Sequence, residues 1–179
     1  MILTKQHASV IIRTAQVADA QAIARVRVAA WRAAYRGLMP DAYLERADLE
    51  ATETEQLRNR LGAIGDRAHV SAAEANERIV GYCAYGCDTN DARACVNGAI
   101  YDLYVHPQLW SHGVGHQLLA DATDYFKLHG CSEATLLVYE ENRRARRFYE
   151  RAGWSRDGHR ELYKHFDFSR PVLRYRTTF

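Results

Sequence analysis

The spacing of apolar residues changes several times along the chain, and each change marks a different element. Val10, Ile11 and Ile12 make residues 9–14 a β-branched run, read as a first strand. From Asp19 the period lengthens. Ile23, Arg27, Ala30 and Ala34 recur at helical spacing in an alanine-rich stretch reaching about residue 36, where Gly37 and then Pro40 end it. A second helical region is predicted over residues 41–61. Residues 68–75 and 78–86 read as two strands around a turn at Asn76 and Glu77, a hairpin. Residues 88–97 are polar and read as a loop.

The second half alternates more regularly. Residues 99–105, AIYDLYV, form a strong strand stopped by His106 and Pro107. A glycine-bearing loop follows, then a helix over residues 114–128 with Val114, Leu118, Ala122, Tyr125 and Phe126 as its apolar stripe and Gly130 as its stop. Residues 134–139 are an apolar strand. Asn142 caps a short helix reaching Ala152, with Ala145, Phe148, Tyr149 and Ala152 on one side. A strand starts at Gly153 and Trp154, and residues 171–179 form the last one. Helices between strands in one half and hairpins in the other predict an α/β (α+β) fold. Its central sheet is mixed, mostly antiparallel, with helices on both faces.

Composition narrows the function classes. A chain of 179 residues with 47% apolar and 26% charged residues suits one globular domain, residues 1–179, with no internal boundary. The net charge of +2 points to neither a nucleic acid nor a membrane surface as partner. No apolar run approaches the roughly 20 residues of a membrane span, and the first residues, MILTKQHAS, lack a signal-peptide core. A cytoplasmic location is the resulting expectation. Cys83, Cys87, Cys95 and Cys131 do not have zinc-knuckle spacing, and they read as buried or half-buried thiols rather than a disulfide framework.

The candidate chemistry begins at HPQLWSHGVGHQLL, residues 106–119. Gly113 and Gly115 let backbone amides approach a ligand, and the first amides of the following helix carry the positive end of its dipole. Together they suit phosphate or pyrophosphate. The loop is neither a Walker loop nor a Rossmann turn, since Leu118 stands at the third glycine position. His112 and His116 straddle the glycines with no third ligand in sight, so no metal is expected.

This segment resembles motif A of the GCN5-related N-acetyltransferases (GNAT), with Trp110, Ser111, His112, Gly113, Val114 and Gly115 in the loop. Trp110 departs from the usual Arg or Gln. LLVYEENRRARRFYERAGW, residues 136–154, resembles motif B through Asn142, Ala145, Phe148, Tyr149, Gly153 and Trp154. WRAAYRGLMPDAYL is similar to the first helical region of many bacterial members. The resemblance implies an enzyme that moves an acetyl group from acetyl-CoA, as co-substrate, to a primary amine of a small molecule or protein N-terminus. It places the pyrophosphate on the loop through His116 and the pantetheine arm along Leu103, Tyr104 and Val105, with Asn142 and Phe148 in the same coenzyme site. Tyr149 becomes the general acid for the leaving thiolate.

Four arginines, Arg143, Arg144, Arg146 and Arg147, crowd the capped helix and suit either a phosphate or solvent. The base is less determined. Asp102 is the one carboxylate in its strand, and it serves either as base or as a partner for an arginine. Strand alternation puts Ile100, Asp102 and Tyr104 on one face. Glu140, Glu141 or water are the other candidates. Trp31, Tyr35, Tyr82, Tyr85, Tyr101 and Tyr104 make the acceptor regions aromatic. The alternative from another class is an acyl-CoA-binding sensor or partner protein with the same fold and little catalysis. Partners are thus acetyl-CoA and an amine, with a homodimer left open.

Overall fold

A computed structural model describes residues 9–65, 68–88, 97–165 and 168–179. Within them the chain runs β1 (Ile11–Thr14), α1 (Ala20–Ala34), α2 (Asp41–Leu44), α3 (Leu49–Gly62), β2 (Ala68–Ala75), β3 (Arg78–Asp88) and β4 (Asn97–Val105). It continues through α4 (Val114–Leu128), β5 (Glu133–Tyr139), α5 (Arg143–Arg151), β6 (Ser155–His165) and β7 (Phe168–Thr178). The strands form one sheet in the order β1-β2-β3-β4-β5-β7-β6. Every neighbouring pair is antiparallel except β4 and β5. The mixed, mostly antiparallel sheet expected from the sequence is therefore present. Of the loop predicted at residues 88–97, Asp88 ends β3 and Asn97 starts β4, while residues 89–96, with Cys95, lie outside the described residues.

Helices cover both faces. Val114, Leu118, Leu119, Ala122 and Phe126 of α4 join Cys83, Tyr85, Ile100, Leu136 and Leu173 in the larger core. On the opposite face Ile23, Ala24 and Val26 of α1 pack with Leu57 and Leu61 of α3 against Val70, Tyr82 and Ala84. Among the described residues no helix is long and apolar enough to cross a membrane. Cys83 is free and buried, while the Cys87 and Cys131 sulfurs lie 3.7 Å apart.

Two readings of the sequence are corrected. The helix expected over residues 41–61 is broken after Leu44 and restarts at Leu49. Between them Arg46 donates to both carboxylate oxygens of Asp48 at 3.0 and 2.6 Å, and residues two apart do not face each other on a helix. The break lets Leu44 and Leu49 both enter one cluster with Trp31 and Tyr35.

The second correction concerns β4. Ala84 pairs with Asp102, but Tyr85 pairs with Ile100, so β4 holds one extra residue, Tyr101. Such a bulge reverses the alternation. Ile100, Leu103 and Val105 belong to the α4 face, while Tyr104 packs on the α1 face and Asp102 reaches arginines of α1 and α3. Ile100 and Asp102 thus lie on opposite faces.

A buried arginine organises the α1 face. Arg27 donates through Nε to the Tyr82 hydroxyl at 2.6 Å, through Nη1 to Glu53 at 2.8 Å and through Nη2 to Asp102 at 2.5 Å. Arg60 of α3 donates to the same Asp102 oxygen at 2.7 Å. Burial works against the guanidinium's charge, but the surrounding oxygens overcome it and push the Arg27 pKa upward. Arg27→Leu leaves Glu53 buried without its cation and Asp102 held by Arg60 alone. It is expected to cost about 3–5 kcal/mol in urea unfolding, and adding Glu53→Leu recovers part of the loss.

Candidate active site

β4 and β5 pair only from Asn97–Ile100 to Glu133–Leu136. Beyond that, β4 continues on β3 to Val105 and β5 continues on β7 to Tyr139. The two strands part, and a cleft of about 1800 Å³ opens between them. The Val105 carbonyl has already turned from β3, since it accepts from the Trp110 indole Nε1 at 2.8 Å. Backbone groups of an antiparallel strand alternate in direction, so the edges of Leu103 and Val105 face the parting strands.

The loop after β4 closes one end. Gly113, at φ 85°, is the N-cap of α4, and Ser111 is also left-handed at φ 65°. These turns bring the chain back to the cleft. Gly113's carbonyl accepts from His116 and Gln117, leaving the amides of Val114 and Gly115 at the helix start without acceptors among the described residues. A Cβ on Gly115 would sit 3.3 Å from Phe148, so this glycine allows α4 to approach α5. Trp110, where the sequence departed from the family pattern, has its own use. Its ring is covered by the Arg144 guanidinium 3.9 Å away, joining β4, the loop and α5.

α5 supplies the next wall. Asn142 caps it by accepting the Ala145 amide at 3.0 Å, as the sequence predicted. Tyr149 is buried among Phe148, Trp154 and Tyr175 and lines the cleft, and its hydroxyl has no hydrogen bond among the described residues. Burial pushes its pKa well above the ordinary tyrosine value, so it holds its proton. Burial likewise raises Tyr35, Tyr104 and Tyr139.

Of the residues singled out from sequence, Asp102, Leu103, Tyr104, Val105, Trp110, Ser111, Gly113, Gly115, His116, Asn142, Phe148 and Tyr149 all line this cleft. Val114 has its side chain in the core and offers only its amide. His112 is exposed, its Nδ1 2.8 Å from the Trp110 carbonyl oxygen, and His116 instead packs on Phe148. Glu140 lies outside the lining and is held by Arg160 at 2.8 Å, which lowers its pKa. Of the four arginines, Arg144 and Arg147 line the cleft with Arg151, which the sequence had not singled out. Arg146 is used internally, donating to the Glu140 carbonyl at 3.0 Å.

The sequence also missed the Arg27–Glu53 pair, Tyr139, Tyr163, His159 and Glu161. Helical spacing marked Arg27 as inward-facing. No local signal marked Glu53, because its partner is 26 positions away.

Comparison with known proteins agrees with this geometry. The sequence model described as the Acetyltransferase (GNAT) family matches residues 29–154. An uncharacterized N-acetyltransferase of Archaeoglobus fulgidus is 34% identical over 142 residues, 77% of this chain and 88% of that protein. A spermidine N(1)-acetyltransferase of Thermoplasma acidophilum is 24% identical over 148 residues, 82% of this chain and 88% of that one. Among solved structures, PaiA N-acetyltransferase from Thermoplasma acidophilum in complex with coenzyme A superposes with a TM-score of 0.74 at 21% identity. That match covers 93% of this chain and 98% of the other.

The two loop glycines serve different needs, and substitution separates them. Gly113→Ala meets no neighbour but must hold a left-handed backbone, a cost of about 1–2 kcal/mol in urea unfolding. Gly115→Leu instead drives a side chain into Phe148 and is expected to disturb the α4–α5 contact, read as a change in aromatic near-ultraviolet circular dichroism.

Proposed function

The chain belongs to the Acetyltransferase (GNAT) family, and on that premise we propose which of its residues perform the transfer of an acetyl group from acetyl-CoA to an amine. The activity itself is that of an acetyl-CoA-dependent N-acetyltransferase. One observation carries the assignment of residues: an open strand edge, the unbonded amides of Val114 and Gly115 and a protonated tyrosine meet in one cleft.

In this reading the pyrophosphate rests on the loop from Ser111 to His116, chiefly on the unbonded amides of Val114 and Gly115, where the α4 dipole favours negative charge. Arg144, Arg147 and Arg151 have no carboxylate partner among the described residues and suit the remaining phosphate. The pantetheine arm lies along Leu103, Tyr104 and Val105, pairing with the strand edge left free by the parting of β4 and β5. A strand amide there polarises the thioester carbonyl. Asn142 and Phe148 border the arm.

The neutral amine attacks the carbonyl carbon, the C–S bond breaks, and the thiolate takes the proton of the Tyr149 hydroxyl. The raised Tyr149 pKa ensures that the acid arrives protonated, although burial also makes it a weaker donor than a tyrosine in water. Asp102 fits its structural alternative better than the role of base. Its Oδ2 accepts from both Arg27 and Arg60, which ties the side chain to α1 and α3. Water in the cleft then receives the amine's proton. The same reading takes residues 1–179 as one acetyltransferase domain, working in the cytoplasm on acetyl-CoA and an amine, alone or as a homodimer.

Acetyl-CoA or CoA is expected to raise the melting temperature by mass action. Thiol release across a panel of amines tests the activity, and release with none of them would remove the reading. Tyr149→Phe is expected to lower turnover roughly 10²-fold or more with little change in the coenzyme-induced melting shift.

Asp102→Asn is expected to lower the melting temperature while the folded variant retains most of its turnover. The pH profile separates the two proton transfers. With a primary alkylamine, the rate should climb from pH ~7 to ~9.5 as free amine appears, in both wild type and Asp102→Asn. A raised tyrosine pKa moves any loss of the acid to higher pH, so no falling limb from Tyr149 belongs in that window. A strong rate loss at neutral pH in Asp102→Asn, recovered at alkaline pH, would restore Asp102 as the base.

A further inference from the structure

The cleft has two electrostatic characters. Its α5 end is cationic, with Arg144, Arg147 and Arg151 on the wall and no ion pair to any of them among the described residues. Its α1 end carries charge in closed pairs. Arg27 binds Glu53 and Asp102, and Arg60 binds Asp102, while on the β6 and β7 wall Arg174 binds Asp157 at 2.6 Å and Glu161 lies 3.2 Å from His159.

Between those pairs the wall is aromatic. Trp31, Tyr35, Tyr104, Tyr139 and Tyr163, with Met39, line this end. Trp31 meets Tyr104 edge-on at 6.3 Å, and Tyr35 meets Tyr139 at 5.1 Å and 89°. Tyr139 meets Tyr163 at 6.5 Å and 76°. Rings packed edge to face point their π faces in different directions, so an occupant meets both faces and phenol groups. The Tyr35 and Tyr104 hydroxyl oxygens are 3.4 Å apart. Tyr104 raises the Tyr149 pKa and Tyr149 raises that of Tyr35, and all three line the cleft, so the aromatic wall stands near the proposed acid.

A carboxylate or phosphate on the acceptor would lose its water here while the lining cations at this end are already paired, and nearby Arg170, which is outside the lining, donates to the Leu38 carbonyl. A second ammonium would find Glu53 and Asp102 already held by arginines, leaving only the exposed Glu161. One amine on an apolar or aromatic body loses least, because ring faces attract a cation and cover an apolar body.

We propose that the acceptor is a primary monoamine on an aromatic or apolar body with no acidic group, an arylalkylamine in chemical class, held by the aromatic wall of the cleft. The proposal rests on the acetyltransferase reading. Calorimetric binding to the CoA-saturated protein tests it without turnover, with 2-phenylethylamine, phenylalanine and spermidine as probes. Phenylethylamine is expected to bind at least ~10-fold tighter than the other two, since phenylalanine adds only a carboxylate and spermidine replaces the ring with further ammoniums. Tyr163→Ala removes a half-exposed ring and should weaken phenylethylamine several-fold while leaving the CoA-induced melting shift intact.

Equal or tighter binding of phenylalanine or spermidine would overturn the proposal, as would unchanged phenylethylamine affinity in Tyr163→Ala. Thiol release from acetyl-CoA with the same amines separates the two levels. Turnover of spermidine or an amino acid alone would remove the aromatic-amine assignment and keep the enzyme. Tight phenylethylamine binding with no thiol release from any amine would keep the assignment and remove the enzyme.

Discussion

A single buried cation ties the front of this protein together. The Arg27 guanidinium spends its hydrogen bonds on Tyr82 of β3, Glu53 of α3 and Asp102 of β4, and its Cζ lies 5.6 Å from the centre of the Trp31 ring. A charge in such a place costs several kcal/mol of lost hydration and is tolerated only where its partners are fixed. The converse is the useful part. Once Arg27 is present, the positions of α1, α3 and the outer half of β4 are no longer independent.

That coupling bears on the cleft through one residue. Asp102 follows Tyr101, the extra residue of β4, and is gripped by both Arg27 and Arg60. The bulge turns Asp102 toward the arginines and Leu103 toward the α4 core. The strand then leaves β5, which stays with β7. The cleft is thus a consequence of two strands having different preferred partners. β4 follows β3 and the arginine cluster, while β5 follows the C-terminal pair of strands.

The same cleft divides its chemistry by element. The start of α4 gives amides and α5 gives arginines, the means of holding phosphate. Tyr149 turns inward from the same α5. The α1 side gives rings and neutralised charge pairs. Nothing in this division requires a metal or an unusual side chain. It requires that polar groups be used up on the α1 side and left unused on the α4 and α5 side.

Most of the elements were legible in the sequence because they are written locally. The stripe Val114, Leu118, Ala122 and Phe126 determined α4, and Asn142 determined the start of α5 through a cap that involves only residues three apart. The glycine loop and the inward Tyr149 were legible for the same reason. What sequence misjudged was set by partners far along the chain. The break between α2 and α3 serves a cluster with Trp31, the face of Asp102 depends on a bulge against β3, and the Arg27–Glu53 pair joins residues 26 apart. Periodicity reports which way a side chain points relative to its own neighbours. It carries no information about an inserted residue in a ladder or about which distant charge will be waiting, and those two facts, decided only by the tertiary structure, shape the α1 end of the cleft.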